Sequence, residues 1–437
     1  MHIPTGAEVS DLNIVGLVVE YNPFHNGHLY HLQRSKAECG AEFAVCAMSG
    51  NFLQRGEPAV VDKWTRAAMA ITGGADVVLE LPVAFAAHSA EYFAAGAVGL
   101  LSAAGIVTHL SFGSESGDLT ALQSLSRLLA EEPEPLATQI REEMAAGVSY
   151  PAARAKAVAR YLRDTAPIAG LTPEKACEIL ARPNNILSVE YLKALHATAS
   201  PLRPVTVTRV KADYHNPHFG PDNIASATAI RRTLLEKDGT AEAAMTAAAP
   251  FIPPAAGEIL AEAFRRGRAP ISWESLAPVL LAILRRADAA TLATVAGVGE
   301  GLENRLLAAA RQAATIQEFL TAVKTKRYPW TRLQRILVHI LLNYTADDAA
   351  AFRAAGPQYL RVLAFSPRGR MLLRRMREEA TIPVLHRPAR YFGTGTNVGE
   401  RMLRLDILAT DLYTLALPDP AARRGNLDFT HRANSPL

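Results

Sequence analysis

Cysteine is scarce: Cys39, Cys46 and Cys177 are the only three in 437 residues, and none sits in a CxxC pair. That excludes a disulfide-stapled scaffold and a zinc site built from cysteine pairs. Long apolar runs are also missing. The nearest, Val83 to Val107, is interrupted by His88 and Glu91, so no stretch offers the ~20 uncharged residues that a membrane-spanning helix needs. The opening residues, MHIPTGAEVSDLN, lack the basic start and apolar core of a secretion signal. Charge of one sign is barely in excess: 46 Lys and Arg face 42 Asp and Glu, a net of +4 that names no polyanionic partner. Disorder is excluded by composition, since 49% of residues are hydrophobic. The expectation is a cytoplasmic globular protein with two or three domains, no membrane attachment and no obligate protein partner.

What is present is a regular alternation of short apolar runs and helical patterns. Ile14–Glu20, Phe43–Met48, Val77–Leu81 and Ile106–Phe112 read as strands, with helices between them near Gly27–Cys39 and Asp62–Ile71 and an Ala-rich one ending near Ala104. Continuous apolar strands separated by helices predict an α/β fold, a Rossmann-like doubly wound parallel sheet covered on both faces. Val205–Val210 is a further strand, and a helix begins at Ser226. Beyond about residue 240 the pattern is mainly α-helical, with one short strand expected at Val362–Phe365. The chain therefore divides into residues 1–240, an α/β domain, and 241–437, a mainly helical one.

The sharpest feature follows the first strand, in VVEYNPFHNGHLYH (Val18–His31). His25 and His28 stand three apart where the next helix begins, so both imidazoles lie on one face of its first turn. The free amides and positive dipole end of that turn favour an anion, and Gly27 lets a ligand approach the backbone. In an open parallel sheet, ligands bind at the carboxyl ends of the strands, where this segment falls. Imidazoles over a phosphate can stabilise charge in nucleotidyl transfer. Two alternatives stay open on the residues alone: a metal site with distant ligands, for which no third ligand is obvious, and a capping turn with incidental histidines.

Two further pieces carry charge chemistry. Ser226-Ala-Thr-Ala-Ile-Arg231-Arg232 opens a helix with hydroxyls and an arginine, a combination suited to β- and γ-phosphates, or simply a capped helix with surface arginines. Between Thr321 and Ala380, 12 Lys and Arg face 4 Asp and Glu, a local net of +8 that leaves −4 for the rest. Lys324, Lys326, Arg327, Arg332 and Arg335 are interleaved with Tyr328 and Trp330; Arg368, Arg370, Arg374, Arg375 and Arg377 form a second cluster. Such clusters suit RNA phosphates and unpaired bases, the alternative being an arginine-solvated helix face. Arg55 and Glu57 follow the second strand without an assignable role. His215 and His218 read as a solvated loop, and GTG within Tyr391–Glu400 lacks the strand–turn–helix setting of a dinucleotide fingerprint.

The HxGH turn resembles the HIGH-type nucleotidyltransferase superfamily. VGLVVEYNPFHNGHLYHL, MSGNFLQRGEPAVVDKW, SFGSESGD, RPNNIL and ASATAIRR together resemble the tRNA(Met) cytidine acetate ligase family, as do KTKRYPWTRLQR and YLRVLAFSPRGR. The likeness runs through most of the chain from about Gly16. It implies that ATP, expected with Mg2+, and acetate form acetyl-adenylate with release of pyrophosphate, and that the acetyl group passes to the N4 amine of the wobble cytidine of elongator tRNA(Met). It implies catalytic roles for His25, His28, Ser226 and Arg231. It implies ATP contacts from Val18, Val19, Glu20, Tyr21, Asn22, Pro23, Phe24, His25, Asn26, Gly27, His28, Leu29, Tyr30 and His31, and from Gly113, Asn184, Arg209 and Val210. The basic clusters, Lys324, Lys326, Arg327, Arg332, Arg335, Arg368, Arg370, Arg374 and Arg375, would then hold tRNA. No metal ligand is implied. One departure is Ser188, which stands where the family usually has Gly after NNIL and bears on the local backbone turn. The rival readings are a small-molecule adenylyltransferase of the same superfamily and a non-catalytic, nucleotide-regulated RNA-binding protein.

Overall fold

The computed structural model describes residues 12–209, 224–236, 240–393, 397–431 and 433. Val210, His215 and His218 lie outside the described residues. Among those described, seven strands make one sheet: β1 (Ile14–Val19), β2 (Phe43–Ser49), β3 (Val77–Leu81), β4 (His109–Ser114), β5 (Arg203–Thr208), β6 (Leu360–Phe365) and β7 (Val384–Leu385). Their spatial order is β5-β4-β1-β2-β3-β6-β7. The first five run parallel; β6 lies antiparallel to β3, and β7 parallel to β6.

The apolar runs are unbroken because both faces of the sheet are covered. Alternate residues divide between two cores: Ile14, Phe43, Val45 and Ala47 face one, while Val15, Leu17, Ala44 and Cys46 face the other. Helices Asn26–Glu38 and Lys63–Thr72 bring Leu32, Trp64, Ala67 and Met69 to the second core. Helices Ala90–Ala103 and Leu119–Glu131 cover the first.

β1, β2 and β3 fall where their apolar runs predict. β4 begins at His109 rather than Ile106 and continues through Ser114. Ile106 and Val107 are buried, and at Thr108 the side chain adds to the backbone bond with Ile14: its Oγ1 accepts from the Ile14 N–H at 2.9 Å and donates to the Ile14 carbonyl at 3.0 Å, beside the Thr108 N–H at 2.9 Å. Burial made that run apolar, and strand pairing starts only after it.

The chain beyond residue 240 is mainly helical, yet it finishes the same sheet. The expected short strand is β6, which reaches back to Leu360 and pairs with β3. Helix Pro254–Arg265 sends Ala256, Leu260, Ala263 and Phe264 into the core that also holds Val15 and Leu17. Residue 240 thus marks a change of sequence character within shared cores. β3 and β6 are further joined by buried charge. Lys63 Nζ lies 2.8 Å from Glu80 and 2.8 Å from Asp428, while Arg361 of β6 meets Glu80 at 3.2 Å and also Asp428. No helix among the described residues is long and apolar enough to cross a membrane.

Candidate active site at the carboxyl edge of the sheet

The order of strands reverses between β1 and β4: β2 and β3 continue on one side of β1, and β4 and β5 on the other. The crevice outside two such diverging strands is where open α/β sheets take ligands. The turn after β1 opens into it. His25 is the N-cap of helix Asn26–Glu38, and its Nδ1 accepts from the Gly27 N–H at 3.0 Å. That bond leaves the proton of the neutral ring on the other nitrogen. A Cβ on Gly27 would sit 2.9 Å from the His25 ring, so the fold-over of His25 depends on glycine there. Asn22 pins the turn by accepting the Val60 N–H at 2.8 Å.

The segment Val18–His31 divides by role. Val19, Phe24 and Leu29 pack into a core and Val18 against the other. Glu20 accepts the Gln54 N–H at 2.7 Å, and Asn26 donates to the Pro250 carbonyl at 3.0 Å. The polar face belongs to the histidines. His25 and His28 stack with ring centroids 3.7 Å apart, and His28 leans on Tyr21 at 4.9 Å. Among the described residues, His28 Nδ1 and His31 Nε2 are buried with no hydrogen-bond partner. Buried polar atoms left open in this way mark where a ligand would supply the missing partner.

All three rings are neutral. Burial, then Arg209 and Arg231, hold His25 down to about 3. Burial and then Arg209 hold His31 near 4, and burial, His25 and Arg209 push His28 well below its ordinary value. The unfolded chain therefore binds more protons than the folded one below about pH 6.5, so this stability is intact above that pH and drains as pH falls. Each such histidine is expected to remove about 1.4 kcal/mol per pH unit below 6.5. Urea midpoints at pH 7.5 and pH 5.5 check this: equal midpoints would contradict neutral burial.

Across the crevice, Gly113 is part of β4 rather than a turn after it, and a Cβ there would lie 3.3 Å from the Arg209 side chain. Arg209 follows β5 and bonds through its backbone N–H to Ser114. Asn184 is in the first turn of helix Pro183–Ala197, where its Nδ2 donates to Glu115 at 2.6 Å. Glu115 also accepts the backbone amides of Asn184 and Asn185, so it serves the helix N-terminus. Glu115 lies in the SFGSESGD block, yet its sequence setting assigned it no role. Ser188 is accommodated without a break: the helix runs through it, and its hydroxyl donates to the Asn184 carbonyl at 2.8 Å.

Ser226 caps helix Ala227–Leu234, its Oγ accepting from the Ala229 N–H at 3.2 Å. Arg231 reaches the histidine turn, donating to the Asn22 carbonyl at 3.0 Å and pairing with Glu57 at 3.3 Å. Glu57 thereby acquires a role: it ties the loop after β2 to Arg231. Arg55 is exposed. Among the described residues, no group of three or more His, Cys, Asp or Glu could hold a metal ion.

The structure separates the two basic clusters. Arg335 donates to the Gln54 carbonyl at 3.4 Å, which places this end of the Lys324, Lys326, Arg327, Arg332 and Arg335 cluster beside the loop after β2, at the carboxyl edge. Lys324, Lys326 and Arg327 are exposed, Arg327 paired with Glu300. Arg368 lies over the ring of Phe43, 4.4 Å away, and 3.6 Å from Glu42, at the start of β2 and hence at the opposite edge. Arg370 and Arg374 are exposed and Arg375 pairs with Glu379. Arg361, counted in the basic stretch, is buried between Glu80 and Asp428.

A parallel sheet whose first strand delivers a double-histidine turn to the switch point defines a HIGH-type nucleotidyltransferase, and the family model described as HIGH Nucleotidyl Transferase matches residues 12–428. The tRNA(Met) cytidine acetate ligase of Acetivibrio thermocellus is 42% identical over 96% of this chain and 99% of its own length. That of Halothermothrix orenii is 39% identical over 95% and 98%. The crystal structure of Thermotoga maritima TmcAL bound with alpha-thio ATP superposes with a TM-score of 0.88 at 35% identity, covering 98% of this chain and 99% of that one. The chain belongs to the tRNA(Met) cytidine acetate ligases, a family of enzymes.

Proposed function

We propose that this ligase binds ATP in the crevice between β1 and β4 and uses it to acetylate the wobble cytidine of elongator tRNA(Met). The observation that carries the reading is the histidine face with two unpartnered ring nitrogens, overlooked by Arg209 and Arg231. An acetate oxygen attacks the α-phosphorus as the bond to the β-phosphate oxygen breaks, releasing pyrophosphate and leaving acetyl-adenylate. The N4 amine of cytidine then attacks the acetyl carbon; the carbon–oxygen bond to AMP breaks and the amine sheds a proton.

The phosphates would counter the field of Arg209, so a proton on His28 becomes easier to hold as ATP enters and charge builds at the α-phosphate. Ser226 and Arg231 would meet the leaving pyrophosphate, Arg231 by exchanging Glu57 for phosphate. Gly113, Asn184 and Arg209 would frame the nucleoside. The donor set does not suit a magnesium held by protein: the turn presents imidazoles, Glu57 is paired and Glu115 is engaged by amides. Magnesium enters only with ATP.

Residues 1–240 would carry the nucleotide chemistry and residues 241–437 most of the RNA contact, in the cytoplasm. The Lys324–Arg335 cluster adjoins the site; Arg368, Arg370, Arg374 and Arg375 would meet RNA only about 20 Å away, a strand length further on. The test is pyrophosphate exchange into ATP, expected to require acetate, followed by transfer of labelled acetate to tRNA. Exchange without acetate, or none at high enzyme concentration, would refute the reading.

A further inference from the structure

A cleft of about 740 Å³ opens beside the active site, between helix Trp330–Leu341, helix Ala346–Ala355 and the segment that follows β3. Arg332, Arg335 and Arg353 line it together with His88 and Tyr92. Its charge is unbalanced. Among the described residues neither Arg332 nor Arg335 is in an ion pair, and burial, then Arg332, bring Arg335 down to about 10. Arg353 donates to the Tyr92 hydroxyl at 2.8 Å and stands 3.9 Å from Glu91. Two like charges held close in a partly desolvated wall oppose folding unless an anion comes to cover them.

The other wall is aromatic and fixed. His88 stacks on Tyr92 with centroids 3.9 Å apart and an interplanar angle of 23°, and Arg353 lies 4.7 Å over the Tyr92 ring. His88 is neutral, held to about 3 by burial, then His339, Arg335 and Arg353. His339 beneath it is anchored to the carbonyls of Ala296 and Ala87 at 2.8 and 3.0 Å. Alanines on helix Ala346–Ala355 keep the volume open, and it falls within the range of small-ligand pockets.

One residue joins the cleft to the nucleotide turn. Gln54 bonds through its N–H to Glu20, through its side chain to the His88 carbonyl at 3.0 Å, and through its own carbonyl to Arg335. Gly56 seats this loop on the helix so closely that a Cβ would fall 2.2 Å from the Arg335 nitrogen.

We propose that this cleft holds one nucleotide of the bound RNA strand, its phosphodiester on Arg332, Arg335 and Arg353 and its base against the His88–Tyr92 wall. Guanidiniums for phosphate and ring faces for an unpaired base are the two components of single-strand RNA sites. The inference rests on the tRNA reading above and locates where the strand enters.

The experiment titrates elongator tRNA(Met) onto the full-length protein at several salt concentrations, with ATP affinity measured in parallel. Wild type is compared with Arg332→Gln/Arg353→Gln and with the single Arg353→Gln, whose side chain is 59% exposed and dispensable for folding on that ground. The double variant is expected to bind tRNA at least ~10-fold more weakly with a salt slope lower by about 1.5, the single variant by about half that slope, while ATP affinity holds. Wild-type affinity and slope in both variants would overturn the cleft and leave the tRNA reading standing. Loss of ATP affinity in step with tRNA would overturn it too, by assigning the cleft to the ATP site. A wild-type protein that binds ATP but no tRNA would remove the tRNA reading and this inference with it.

Discussion

His28→Ala is expected to slow acetate-dependent pyrophosphate exchange by ~100-fold or more, about 2.7 kcal/mol of transition-state stabilisation, in the range seen when one preorganised donor is removed. The ring is held between the His25 stack and Tyr21. It therefore needs no reorganisation when charge develops at the α-phosphate. Because the effect belongs to the transition state, kcat should fall far more than ATP affinity. The exchange rate and the ATP Kd, measured on the same preparation, separate the two. Near-normal exchange would reject the role, and equal losses in rate and affinity would reduce it to ground-state binding.

Lys63→Met is expected to destabilise the protein by roughly 3–5 kcal/mol, the range for breaking a buried ion pair from one side. The ammonium is fully buried and bridges Glu80 of β3 to Asp428 near the chain's end. Burial pushes the Asp428 carboxyl up, but Arg361 and Lys63 more than offset it and leave it below the ordinary range. Without Lys63, two carboxylates share Arg361 alone. Adding Asp428→Asn to Lys63→Met should recover part of the loss, since the stranded charge is then gone. Urea midpoints of the wild type, both single variants and the double variant measure the coupling; strict additivity would show that the network contributes nothing as a unit.

Much of this was legible in the sequence because the physics was local. Unbroken apolar runs between turns placed β1, β2 and β3, and the spacing of His25 and His28 placed both rings on one helical turn. What escaped depended on distant segments meeting. Glu115 looks like any loop acid until Asn184 and Asn185 arrive from another helix. Arg361 reads as one more surface cation until β6 docks on β3 and buries it. The two arginine clusters are neighbours in the sequence, yet the sheet stands between them. His88, Tyr92 and Arg353 carry no pattern at all, since three separate segments bring them into one cleft with Arg332 and Arg335.

The docking of β6 against β3 has a consequence for the order in which the protein is made. During synthesis the histidine turn and β3 emerge early, but the exposed edge of β3 waits for residues 360–365, and Lys63, which pairs with Glu80, waits for Asp428. Until then β3 presents an unpaired, fully apolar strand edge apart from Glu80, the kind of template that recruits other chains. A chain interrupted before β6 would hold its histidine turn while its sheet edge stayed unfinished. Segments made late thus close the sheet edge that the earlier strands leave open.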